Sequence, residues 1–235
     1  MNNLSAWQRL KASFSASAGQ VVFGMEDGTV SIFGLVFGVA ATTTEQSAVL
    51  IAGASGAVAA AVSMMAGTYL DVETNRDKAR VMVSRIEADL RNGSTTVLEH
   101  VTARLRDAGL APDQATVVNR FLSSEPKILK SLATALTASA DSDVNQSPLV
   151  QSLWMLVADF LAAAIPILPF AFLPVPEGRV VSGTVTTLLL VGLGIGRSLI
   201  GGRNILRTVI ETVAIGAAAA LAGVAIGLGI AHLSY

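Results

Sequence analysis

Residues 48–70 read AVLIAGASGAVAAAVSMMAGTYL, and residues 71–80 continue DVETNRDKAR. The first stretch carries no formal charge and is long enough for the ~20 apolar residues that a membrane-spanning helix needs. The second is crowded with charge, so the chain has left the apolar phase within a single turn. Working outward, residues 20–42 form a similar run before it, and runs near 149–173, 180–200 and 205–233 follow it. They are separated by a proline-containing loop at 174–179 and a basic loop around Arg203. Five crossings are therefore expected, in an all-α polytopic membrane protein with a helical insertion between the second and third.

The expected domains are an amphipathic interfacial helix over 1–19, crossings 1 and 2 over 20–71, a cytoplasmic helical domain over 72–148, and crossings 3 to 5 over 149–235. Residues Leu4, Trp7, Leu10, Lys11 and Phe14 fall at near-helical spacing, which suits a helix lying in the headgroup layer. In the insertion, Val81, Val83, Ile86 and Leu90, then Val97, Val101 and Leu105, follow a helical period, with stops at Gly93 and at 109–112. Three or four helices are predicted there, and the polar stretch 137–148 reads as a linker back to the membrane.

Composition agrees: 52% of the 235 residues are hydrophobic and 14% charged, against roughly a quarter charged in soluble domains. The formal net charge of -1 offers nothing to nucleic acid. There is no cysteine and there are only two histidines, His100 and His232, in different segments. Thiolate chemistry and a multi-histidine zinc centre are excluded. The first apolar run starts near residue 20 and contains Glu26 and Asp27, unlike the core of a cleavable signal peptide, so it is read as a retained helix. Gly192, Gly194 and Gly196 sit inside an apolar run with no GxxxxGK[ST] pattern, so no nucleotide is expected. No bound cofactor is expected either, and no nucleophile, base and orienting group assemble into an enzyme site.

Basic residues set an orientation. Arg9 and Lys11, ten basic residues of the insertion, and Arg197, Arg203 and Arg207 fall on one side, and Arg179 on the other. The positive-inside rule makes the first side cytoplasmic. The amino terminus and residues 72–148 are then inside and the carboxy terminus, at Tyr235, outside. No stretch reads as an organelle address, so the expected host is a bacterial plasma membrane.

Glycines recur four residues apart at Gly24 and Gly28, Gly34 and Gly38, Gly192 and Gly196, and Gly223 and Gly227; such pairs let helix backbones approach closely in lipid. Carboxylates within spanning segments are costly and call for a reason. Glu26, Asp27, Asp159 and Glu211 are therefore candidates for ion or proton handling, with Glu211 one turn from Arg207 as a possible ion-pair partner. Met64 and Met65 offer thioethers, which beside a carboxylate favour softer transition metals, although packing is the common use of methionine. Pro166 and Pro169 interrupt the third crossing near its outer end and free carbonyls that a neighbour or an ion must satisfy.

The stretch Val22-Phe23-Gly24-Met25-Glu26-Asp27-Gly28, with the following Phe33-Gly34-Leu35-Val36-Phe37-Gly38, resembles the first helix of the vacuolar iron transporter family. Ser63-Met64-Met65-Ala66-Gly67-Thr68-Tyr69-Leu70 resembles its second helix, Pro166 and Pro169 match its third, and Arg106-Asp107-Ala108-Gly109-Leu110 resembles a turn of its cytoplasmic domain. The resemblance implies a homodimer that moves divalent iron, and often manganese, out of the cytosol in exchange for protons, along a path between the subunits' first helices. Asp27 would be the first-helix carboxylate, acting as ligand and proton exchanger, and Met64 the thioether. Glu26 would assist in metal and proton handling, and Asp159 in metal binding. The sequence departs from the family in two places. Gly56 stands where a glutamate is usual, and the insertion has sparse acids (Glu73, Glu87, Asp89, Glu99) and neither Met nor Glu from Lys127 to Ala140. A non-transporting scaffold of the same fold is the alternative reading.

Overall fold

The computed structural model describes residues 5–93, 95–137 and 147–233. The linker read at 137–148 and the terminal Tyr235 lie largely outside them. Ten helices and no strand occur among the described residues: α1 (Ala6–Ala16), α2 (Ala18–Thr42), α3 (Gln46–Arg91), α4 (Thr96–Asp107), α5 (Pro112–Ser124), α6 (Pro126–Thr137), α7 (Pro148–Ile167), α8 (Pro169–Phe172), α9 (Val175–Gly201) and α10 (Ile205–Leu233). Five of them, α2, α3, α7, α9 and α10, are long and apolar enough to cross a membrane. At 1.5 Å per residue even α7, with 20 residues, reaches about 30 Å, the thickness of a hydrocarbon core. The chain is an integral membrane protein of the all-α class.

It divides into two compact units, residues 1–70 with 146–235, and residues 71–145. In the first, α2 is the central helix and packs on α7, α9 and α10. Its close neighbours are chosen by glycine. A Cβ at Gly34 would lie 2.8 Å from the carbonyl oxygen of Ala219, and one at Gly38 would lie 2.7 Å from that of Gly223, so no larger residue permits this approach. Gly24 and Gly28 do the same toward Met155 and Asp159 on α7. Three of the four glycine pairs thus pack in this chain. Gly192 and Gly196 do not: nothing lies within 4 Å of a Cβ at either, and it is Gly194 that meets α10 at Val209.

The end of the third crossing is built by its prolines. Pro166 lies within the last turn of α7, and Pro169 opens the single-turn α8. The Ser182 hydroxyl on α9 donates to the Pro166 carbonyl at 2.7 Å, and the Gln46 amide donates to the Phe170 carbonyl at 2.5 Å. Phe170 and Val175 are buried there with Ile32, Val36, Val49 and Ala163. Residues 175–179, read above as loop, are the first turns of α9. Proline is tolerated at the start of a helix, where its missing N–H is not needed, and Glu177 suits the positive end of the dipole. The local signal for a turn and the signal for a helix start are the same residues.

Helix α1 begins with a capping box in which Ser5 and Gln8 exchange hydrogen bonds. Its Phe14 ring meets Trp154 edge-on at 5.2 Å, and the Trp154 indole N–H donates to Ser13 Oγ at 3.0 Å. Trp7, Leu10 and the edge of Phe14 remain exposed.

The second unit contains the end of α3 with α4, α5 and α6. The spanning run ends near Leu70, but the helix does not; α3 continues to Arg91, because a change of polarity does not by itself break helical hydrogen bonding. The actual stops are Gly93 and Gly109, both with positive φ. Ile86, Val97, Val101, Leu122, Leu129 and Ala133 form the core. The Thr102 hydroxyl donates to Asn119, and Lys130 pairs with Glu87 at 2.5 Å.

Candidate functional site

Two acidic residues of the first unit stand side by side in the first half of α2. Glu26 and Asp27, on successive positions, both line a cavity of about 510 Å³ together with Phe23, Arg197, Arg203 and Ile215. They are differently committed. Arg197 Nη1 donates to both carboxylate oxygens of Glu26, at 3.0 and 3.3 Å, and Thr212 Oγ1 reaches the same carboxylate at 3.4 Å. Asp27 makes no ion pair among the described residues.

Asp159, on α7, is fully buried, and neither carboxylate oxygen has a hydrogen-bond partner. It occupies this position because Gly28 has no side chain: a Cβ there would lie 3.0 Å from Asp159 Oδ1. Asp159 thus lies across the α2–α7 contact from Gly28, the residue that follows Asp27. An unpartnered carboxyl in an apolar core is costly and contributes nothing to packing that a leucine would not.

Glu211 is accounted for locally: Arg207 Nε donates to it at 3.0 Å and Arg203 lies 3.9 Å away. Met64 and Met65 are half-buried on α3 and are not among the residues lining the cavity. Gly56 faces α2, where Leu35 takes up the space that a side chain would need. In the second unit the acids serve nearby partners: Glu87 with Lys130, Glu73 with Arg80 at 3.9 Å, and Glu99 accepting from Thr95. No group of three or more His, Asp or Glu side chains placed to hold a metal ion occurs among the described residues.

Sequence reasoning weighed the carboxylates but missed Arg197, which it counted only as one of several basic residues near a loop. Its partner is 171 positions away. Arg197 near the end of its run and Glu26 near the start of the first, positions that fall on one side of the membrane in the orientation read above, were the available signal.

These features define a class: polytopic helical membrane proteins that keep carboxylates between their crossing helices. The sequence profile of the VIT family matches residues 18–228, and the chain belongs to that family. It is similar to a vacuolar iron transporter of Centaurea cyanus, with 24% identity over 90% of this chain and 86% of that protein. It is also similar to vacuolar iron transporter 1 of Arabidopsis thaliana, at 25% over 90% and 85%, and to a vacuolar iron transporter of Acanthamoeba castellanii, at 27% over 88% and 76%.

Proposed function

We propose that the protein is a secondary transporter that exports a divalent transition metal, iron or manganese, from the cytosol in exchange for protons. The observation that carries this reading is the pair Asp27 and Asp159: one carboxylate lines the cavity and makes no ion pair among the described residues, and the other, buried against the neighbouring Gly28, has no hydrogen-bond partner. Structural ion pairs do not look like this, whereas groups that alternately hold a proton and a cation must be left without permanent partners. Membership of the VIT family and the names of the relatives point the same way.

Asp27 serves as first ligand and as proton exchanger, with Asp159 as the auxiliary carboxylate. Met64 adds a soft ligand along the path. One subunit offers too few ligands at one place for a metal ion, and a homodimer with its path between two copies of α2 doubles them. The amino terminus and residues 72–148 face the cytosol, and the host is a bacterial plasma membrane. Glu73, Glu87 and Glu99 of the insertion already have nearby partners, and no group of three or more acidic or histidine side chains gathers among the described residues, which argues against a multi-metal store there.

The test is uptake of Fe²⁺, Mn²⁺ and Co²⁺ into proteoliposomes with and without an imposed pH gradient. Accumulation that requires the gradient and disappears in Asp27→Asn, with the protein still folded, supports proton-coupled export. Folded wild-type protein that moves none of the three metals would return the scaffold reading to first place.

A further inference from the structure

The cavity beside Asp27 holds a cation already. Arg197 occupies the position from which a metal ion would reach Glu26, so Glu26 is not a free ligand in this state. The contact is made in an unusual way. Nη1 alone touches both oxygens of Glu26, whereas the strong arrangement between these groups is a fork in which two guanidinium nitrogens each meet one oxygen. The Glu26 side chain is 14% exposed and that of Arg197 is 38%. The carboxylate is the more enclosed partner, and the guanidinium, near the end of α9, is the less covered one. The Thr212 hydroxyl also donates to Glu26 Oε1, the oxygen nearest Arg197 Nη1, but only at 3.4 Å.

We propose that Arg197 is a tethered counter-ion that competes with the transported cation for Glu26. This rests on the transport reading of the same cavity. Arg197 neutralises Glu26, and Asp27 is the carboxylate of the cavity that makes no ion pair among the described residues. A divalent cation arriving at Asp27 displaces the guanidinium and takes Glu26 as a second carboxylate. When the ion leaves, Arg197 returns, so the carboxylate is never left unpaired in a medium where that would be costly. Arg197 is thus a specificity-determining and positioning residue: it sets how tightly the cation is held and helps to expel it. Monovalent ions are disfavoured, since one charge gains little by exchanging for another.

The experiment measures Mn²⁺ binding to the purified full-length protein, from the free Mn²⁺ signal in electron paramagnetic resonance, and Mn²⁺ uptake into proteoliposomes. Wild type is compared with Arg197→Gln, Arg197→Lys, Glu26→Gln and the double variant Glu26→Gln/Arg197→Gln. Removing the competitor in Arg197→Gln should tighten binding about tenfold and lower the maximal rate by a similar factor, so that KM and kcat fall together. Arg197→Lys, which keeps the charge, should stay within about threefold of wild type. Glu26→Gln, which leaves Arg197 free to turn to Asp27, should weaken binding about tenfold or more. The double variant should lose the gain of Arg197→Gln. Should Arg197→Gln fail to fold, the Glu26→Gln and double variants, which leave no unpaired carboxylate at 26, decide the matter: weaker binding in the first that is relieved in the second supports the proposal. Arg197→Gln that folds yet binds Mn²⁺ no more tightly than wild type overturns it, as does a double variant that keeps the gain. Wild type that binds Mn²⁺ but transports no metal would sink the transport reading, with the binding series still deciding the role of Arg197.

Discussion

Helix α2 meets α7 and α10 by the same device, two glycines four residues apart, and the two contacts accomplish different things. Toward α10, Gly34 and Gly38 lie against the backbone at Ala219 and Gly223, with no charged side chain among the atoms nearest to them. Toward α7, Gly24 and Gly28 make room for Met155 and for Asp159, whose carboxyl is buried without a partner. One face is glycine used for proximity alone. The other is glycine used to seat a group that destabilises the fold, which is sensible only if that group is needed for something else.

The comparison can be broken. Gly28→Val would place branched carbon against the Asp159 backbone, with no flexible side chain to give way, and should cost about 3 kcal/mol or more. Little folded protein should survive size-exclusion chromatography, and a normal melting curve would show that the seat is not tight. Asp159→Leu should separate fold from function, raising stability by about 1–3 kcal/mol, the desolvation cost of an unsatisfied polar group, while metal uptake falls to background. A destabilised Asp159→Leu with intact uptake would make the carboxyl a packing group.

On the other face the expectation is reversed. Gly38→Ala should lower stability by about 1–2 kcal/mol through backbone separation, with uptake per folded molecule retained; selective loss of uptake would mean that the α10 contact also moves in transport. Gly192→Ala, at a glycine with nothing near it, should leave the melting temperature unchanged or raise it by the equivalent of less than about 1 kcal/mol. The smallest effect concerns the surface pair of the second unit. The hydrogen bond and charge of Lys130 hold the Glu87 carboxyl below its ordinary value of 4.5. A depressed folded value means that the pair's contribution is present above pH 4.5 and is lost as the pH falls through the lower folded value. Lys130→Ala should abolish this small acid sensitivity, measured as the midpoint of helix loss on acidification.

The crossing helices were legible because apolar length is a direct consequence of bilayer thickness, and the glycine pairs because small residues have few other uses there. What could not be read was which surface each pair serves. Gly34–Gly38 and Gly192–Gly196 look alike in sequence, yet only one finds a neighbour. Asp159 stood out as a charge in an apolar run, but its lack of a hydrogen-bond partner is a property of the helices packed around it, not of its own segment. Arg197 was hidden for the converse reason. A basic residue near a loop satisfies the orientation rule without needing an acidic partner, so its bond to Glu26 is visible only once α2 and α9 are side by side. The start of α9 was mistaken because Pro174 and Pro176 obey the rules for a turn and for a helix start equally well.

The hydrogen bond from Ser182 to the carbonyl of Pro166 has a mechanical meaning. A proline near the end of a long helix is usually thought of as a joint. Here the joint is pinned to the adjacent helix, and the residues just beyond it are pinned again by Gln46, so this end of α7 is a fixed post. Whatever swings during transport must then swing elsewhere.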